Sequence, residues 1–226
     1  MPLLEIKNLR KSYRTPDGGS QTVLDVPTLS LEPSQQVALR GSSGTGKTTL
    51  LNCIAGILTP DNGSILLNDR DMAALNESER DQVRAENTGF IFQTFNLLQG
   101  YTCLENVLLG MNFGRGPDKD LAEKLLRRVG LEDRLRYRPS QLSVGQQQRV
   151  AVARALANQP KLVLADEPTG NLDPRNAQEV LKLIREICGE NEAALLLVSH
   201  DQSVLDQFDD SLNLADLNRA VQREAA

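Results

Sequence analysis

The chain has 226 residues, 40% hydrophobic, 24% charged and 4% aromatic, enough to build a core without metal or disulfide staples. A net charge of −5 argues against nucleic acid as a partner, because phosphate backbones are held by basic faces. The cysteines Cys53, Cys103 and Cys188 are scattered with no CxxC pair, which reads as free thiols in a reducing compartment; the N-terminus lacks the apolar stretch of a signal peptide, and the longest apolar run, Ala193–Val198, is too short to span a bilayer.

In chain order, Leu3–Arg10, Val23–Leu31, Gln36–Arg40 and Ile65–Asn68 alternate as antiparallel strands do, the last of them after the turn Pro60-Asp61-Asn62-Gly63. A glycine-rich turn over Gly41–Gly46 precedes a helix predicted over Lys47–Ile57. The middle third is helical: Glu77–Glu86 is charge-rich, and Leu104–Met111 and Asp118–Val129 are amphipathic, with a strand-like Gly89–Gln93 between the first and second. Leu162–Ala165 and Ala194–Val198 are continuous apolar runs, the pattern of parallel strands buried on both faces, and Ala177–Ile187 is the crossover helix between them. The tail past Asn218 reads as frayed. The fold class is α/β, with an N-terminal antiparallel β layer, a parallel core sheet and a helical insertion.

Gly41-Ser42-Ser43-Gly44-Thr45-Gly46-Lys47-Thr48, followed by Thr49, fits GxxxxGK[ST] without a mismatch, after a strand and before a helix. Glycines let successive backbone N–H groups converge on phosphate oxygens, and the helix N-terminus adds positive potential. Lys47 is suited to the β- and γ-phosphates of a nucleoside triphosphate, and the Thr48 hydroxyl to Mg²⁺. Downstream, the apolar strand Leu162–Ala165 ends in Asp166 and Glu167, which a parallel sheet delivers to the same edge as the phosphate loop. Asp166 suits the Mg²⁺ shell, and Glu167 suits orienting or deprotonating an attacking water. Two adjacent acids favour hydrolysis over transfer to a substrate hydroxyl.

Leu142-Ser143-Val144-Gly145-Gln146-Gln147-Gln148-Arg149, before the helix predicted over Val150–Asn158, resembles the LSGGQ signature of ABC ATPases, and the resemblance covers essentially the whole chain. It implies a P-loop NTPase of the ABC ATPase type, a single domain with residues 1–93 and 160–226 as catalytic core and about 94–159 as a helical subdomain carrying the signature. Carried over by resemblance, Tyr13 stacks on adenine, and Gln93 joins core to insertion with roles at the metal and in catalysis. His200 touches the γ-phosphate, and Asp173 of Asn171-Leu172-Asp173 lies at a dimer interface. Ser143, Gly145 and Gln146 would cap ATP held by a second copy, so the resemblance implies a homodimer, or a pseudo-symmetric ATPase dimer, with two composite sites. Val144 stands where the family has glycine; a β-branched residue resists positive φ, so an ordinary backbone is expected there.

Gly89–Leu98 and Asp166–Asp173 look most like the lipoprotein-release and macrolide-export group. This implies an ATP-hydrolysing subunit at the inner face of the membrane, powering a separate permease for export or envelope remodelling. Phe95, Leu97 and Leu98 suit either the core or a groove receiving a permease helix. The alternatives are a soluble ABC ATPase not coupled to transport, which lacks here its usual second cassette, and a P-loop kinase, which has no use for Leu142–Gln146.

Overall fold

The two hydrophobic periods of the sequence sort into two sheets in the computed structural model, which describes residues 1–42 and 44–224. Strands β1 (Leu4–Arg14), β2 (Ser20–Leu31), β4 (Asn62–Leu67) and β5 (Arg70–Asp71) form an antiparallel sheet in the order β2-β1-β4-β5. Strands β3 (Gln36–Arg40), β6 (Thr88–Ile91), β7 (Leu162–Asp166), β8 (Ala194–Ser199) and β9 (Asp210–Asn213) form a second sheet in the order β6-β7-β8-β3-β9, parallel throughout.

Gln36–Arg40 therefore leaves the antiparallel layer expected for it and joins the parallel sheet. The reason lies in its middle three residues: Val37 and Leu39 pack into the core on one face while Ala38 packs into the core on the other. A strand with no solvent face cannot serve the half-exposed layer. β7 behaves the same way, with Leu162 and Leu164 on one side and Val163 and Ala165 on the other.

Helix α1 (Lys47–Ile54) and the antiparallel sheet share the first core with one face of the parallel sheet. Helix α2 (Glu77–Asn87), started by a reciprocal cap between Asn76 and Glu79, contributes Val83 to that core. On the opposite face α3 (Cys103–Met111), α4 (Lys119–Arg128), α5 (Val144–Ala155) and α6 (Pro174–Glu190) build the second core. α1 stops three residues short of the predicted Ile57 because Gly56 adopts φ 68°. α5 starts at Val144, six residues before the prediction, because Ser143 and Gln146 cap it reciprocally. Short helices α7 (Gln202–Leu205), α8 (Leu214–Leu217) and α9 (Arg219–Glu224) complete the chain. The tail does not fray at Asn218, since Asn218 and Ala220 are buried against β2.

Candidate functional site

Four adjacent strands of the parallel sheet end on one edge, and each releases a sequence-predicted residue there. β3 leads into the glycine loop, β6 into Gln93, β7 into Asp166 and Glu167, and β8 into His200. Parallel register keeps these ends level, with Arg40 beside Ser199, Asp166 beside Val198 and Ile91 beside Ala165. Ser42, Gly44, Gly46, Lys47, Thr48, Thr49, Gln93, Asp166, Glu167 and His200 line a single cleft of about 680 Å³ together with Val23.

At Gly41 and Gly46 the glycine loop is shaped by contacts that leave no room for a side chain. A Cβ on Gly41 would lie 2.7 Å from the Thr45 hydroxyl and 2.9 Å from Lys47 Cδ. Gly46 has φ 92° and lies so close to β2 that a Cβ would meet Leu24 at 2.9 Å, which excludes other residues twice over. Gly41 and Thr45 sit behind the loop; the Thr45 hydroxyl donates to the Ser42 carbonyl at 2.9 Å. Ser43 lies outside the described residues.

Inside the cleft the charged groups bond to one another. Lys47 Nζ donates to the carbonyls of Gly41 (2.7 Å) and Ser42 (3.0 Å) and stands 3.4 Å from Glu167 Oε1. Thr48 Oγ1 donates to Asp166 Oδ2 at 2.7 Å. Burial raises the Asp166 carboxyl above the usual range, and the Glu167 charge beside it adds to the rise, against the opposing pull of the Thr48 hydrogen bond and Lys47. Glu167 is held at φ 46°, rare for a non-glycine residue, with its N–H donating to Val198 O at 3.0 Å. That turn swings the side chain away from the direction of β7, and both carboxylate oxygens come within 2.7–2.8 Å of His200 Nδ1. The Gln93 carbonyl accepts from Asn171 Nδ2 at 2.8 Å, which ties β6 to the loop after β7.

The other predicted residues do not reach this cleft. Tyr13 sits on β1, 41% exposed, with Lys11 Nζ 5.8 Å from its ring centre. Ser143 and Gln146 cap α5, Val144 is the exposed first residue of that helix with the ordinary backbone expected for it, and Gly145 packs against Asn176 of α6. Asp173 caps α6 by accepting from the Asn176 N–H and side-chain amide, and the latter bond holds its carboxyl below the usual range.

A second depression of about 620 Å³ lies between α2, β6, α3 and α5, lined by Phe90, Phe92, Asn96, Phe113, Arg84 and Arg154 among others. Phe90 and Phe92 stack at 4.2 Å, and Phe113 is 79% exposed. Leu97 is buried in the core and Phe95 packs against it, while neither lines this groove; Leu98 is exposed elsewhere. Residues without a motif, Val23 at the cleft and Phe113 at the groove, carry no sequence signal, because their roles come from position alone.

Residues 24–170 match the profile of a family described as ABC transporter. The chain is 45% identical over 217 residues to the lipoprotein-releasing system ATP-binding protein LolD of Pseudomonas syringae pv. tomato, covering 94% of each chain. It is 44% identical over 210 residues to LolD of Idiomarina loihiensis, covering 91% of each. Among solved structures it is similar to the ATP-binding cassette MJ0796 in a dimeric post-hydrolysis state bound to ADP and Pi, with TM-score 0.86, 32% identity and coverage of 96% and 95%. A further dimeric structure of MJ0796, described as a bacterial ABC transporter cassette, gives TM-score 0.85 at 34% identity over 93% of each chain. With a phosphate loop, a paired acidic strand end and a histidine converging on one sheet edge, and with these relatives, the chain belongs to the ABC transporter family as an ATP-binding, ATP-hydrolysing subunit.

Proposed function

We propose that this cleft holds MgATP and that Glu167 activates the attacking water. One observation carries the reading: the Glu167 carboxylate is fixed between Lys47 Nζ and His200 Nδ1, directly beside the Thr48–Asp166 pair. The residues fit the ligand. The backbone at Gly41, Gly44 and residues 46–49, free of side-chain obstruction at its three glycines, suits phosphate oxygens, and Lys47 supplies a cation to them. Thr48 and Asp166, with Gln93 at the rim, are the hard-oxygen donors that suit Mg²⁺, which when bound neutralises phosphate charge. Glu167 accepts the proton of the water, and His200, hydrogen-bonded to it, steadies that carboxylate and faces the γ-phosphate. Tyr13, an exposed aromatic on the adjoining β1, stacks on adenine.

Ser143, Gly145, Gln146 and Asp173 serve a second copy. They lie away from their own cleft, and the similar cassette MJ0796 is dimeric. The segment from about 94 to 159 works as the arm that brings them to the partner, and residues 1–93 and 160–226 work as the catalytic core.

The groove holding Phe90, Phe92 and Phe113 docks a permease helix. An aromatic so exposed, rimmed by Asp81, Arg84 and Arg154, suits an amphipathic helix with an apolar anchor. Names of the relatives support lipoprotein release as the transport system, with this subunit peripheral on the inner face of the membrane. Among the described residues no helix is long and apolar enough to cross a membrane.

The test is Glu167→Gln. ATP affinity is retained, steady-state hydrolysis falls by on the order of 10² to 10⁴, and an ATP-bound dimer accumulates in gel filtration. Unchanged turnover in that variant removes Glu167 from the chemistry.

A further inference from the structure

Among the described residues of the C-terminal segment, Asn218 is a fully buried polar side chain, outside every motif of the site. Its amide is saturated by four bonds. Nδ2 donates to Val23 O at 2.8 Å and Thr45 O at 3.2 Å; Oδ1 accepts from Asp25 N at 2.8 Å and from Ala220 N at 3.2 Å. Two of these partners belong to β2, one to the glycine loop and one to α9. A buried amide usually satisfies itself within its own turn or strand; this one spans 173 residues to reach the loop.

The bond to Thr45 O matters because of the peptide it belongs to. The Thr45 carbonyl and the Gly46 N–H share one planar trans peptide and point in opposite directions. Fixing the carbonyl toward Asn218 therefore fixes the Gly46 N–H toward the other side. Gly46 lines the cleft and precedes α1 with no side-chain cap, so its N–H is among the donors at a helix N-terminus that suit phosphate. The same amide holds the carbonyl of Val23, which also lines the cleft, and the Asp25 N–H two residues on. Left without this restraint, the Thr45–Gly46 peptide can flip by turning Thr45 ψ and Gly46 φ together, because a glycine such as Gly46, at φ 92°, tolerates either orientation.

We infer that Asn218 is a positioning residue of the nucleotide cleft, aiming the Gly46 N–H at the bound phosphates from the C-terminal segment. The inference rests on the cleft being the MgATP site. It makes one residue of that segment, Asn218, part of the phosphate-binding apparatus, which no motif in the chain announces.

Asn218→Ala removes all four bonds, and Asn218→Asp keeps the two acceptor bonds while setting a carboxylate against the Val23 and Thr45 carbonyls. Both variants are expected to bind MgADP about tenfold more weakly than the parent in calorimetry at pH 8. The Asn218→Asp deficit shrinks as the pH falls and the carboxyl becomes protonated, since a neutral carboxyl regains one O–H donor, whereas the Asn218→Ala deficit stays constant. Gln222→Ala, which loses bonds to Ala215 O and Asp216 O within the tail alone, binds MgADP like the parent. Parental affinity in both folded Asn218 variants overturns the inference, as does an equal loss in Gln222→Ala. If neither Asn218 variant folds, hydrogen exchange in the parent decides: MgADP slows the Asp25 and Ala220 amides, and exchange unaffected by nucleotide overturns it. Lys47→Ala separates this from the site reading. MgADP affinity untouched by Lys47→Ala means the cleft is misassigned, while affinity lost there and kept in both Asn218 variants means only Asn218 is.

Discussion

Two helix N-termini in this molecule carry the glycine loop and the signature turn, and they are finished differently. α1 begins at Lys47 after Gly46 with no side-chain cap, and its first turn opens onto a cleft containing a lysine, two carboxylates and a histidine. α5 begins at Val144 behind a reciprocal cap: the Gln146 N–H donates to Ser143 Oγ and the Ser143 N–H to Gln146 Oε1. The first has donors and no cap, the arrangement of a terminus whose partner is a ligand. The second is stable by itself and displays an exposed valine. Gly145, just inside it, rests on Asn176, whose amide in turn bonds Asp173, so the signature turn and the start of α6 form one unit. The difference separates a helix start that leaves its donors free for a ligand from one whose donors are already met by its own side chains.

Breaking each terminus in a different chain gives the largest effect. Lys47→Ala and Ser143→Arg alone should each lower ATPase by on the order of 10² or more. Mixed in equal amounts they should recover about a quarter of the parental rate, because half the dimers are mixed and each of those has one intact composite site. No recovery on mixing, with both variants folded, would mean that the two termini do not meet across a dimer.

The contrast also explains what could be read from the sequence. The cradle was legible because its physics is local: GxxxxGK[ST] sets the backbone, and an apolar strand ending in Asp166 and Glu167 must deliver them to the sheet edge. Two consequences of tertiary packing escaped. Gln36–Arg40 alternates only weakly over five residues, and only burial on both faces shows that it belongs with the parallel strands. The C-terminal segment is polar and short, so its order comes from Asn218 bonding to β2 and the glycine loop, partners far away in sequence. Leu97 shows the reverse case: an apolar residue that suited core or groove equally proves to be core, while the groove takes Phe92 and Asn96 from the same run.

The next effect in size concerns the groove. Phe113 is 79% exposed, so replacing it costs the fold little, and any loss of function reports a partner rather than packing. Phe113→Asp should reduce transport in cells by about tenfold or more, since a carboxylate buried under an apolar helix is costly. ATPase of the isolated subunit should stay within about twofold of the parent. Equal loss in both assays would give Phe113 a structural role instead.

The smallest effect is one of stability, and it sharpens the comparison from inside the cradle. Asp166 is a buried carboxylate beside Glu167, and its folded-state pKa lies above the ordinary value. A carboxyl raised on folding binds its proton more tightly in the folded state. Its ionised form therefore costs stability at pH above the raised pKa, and the cost fades as pH falls through that value toward the ordinary carboxylate range. Asp166→Asn removes the charge and can still accept the Thr48 hydroxyl through its amide oxygen. Without nucleotide at pH 7.5 the variant should melt about 2 to 4 °C above the parent. The gain should shrink as the pH falls through the raised value, because the parent carboxyl then takes up its proton and loses the buried charge. With MgATP the order should invert, because the parent gains binding energy through Asp166 that the amide cannot supply to Mg²⁺. The capped terminus of α5 carries no such buried charge, and Gln146→Glu there should show no pH-dependent change of comparable size. A nucleotide-free melting point lower in Asp166→Asn than in the parent at every pH would mean that the Thr48–Asp166 pair stabilises the cradle, rather than holding it ready for the metal at a cost to the fold.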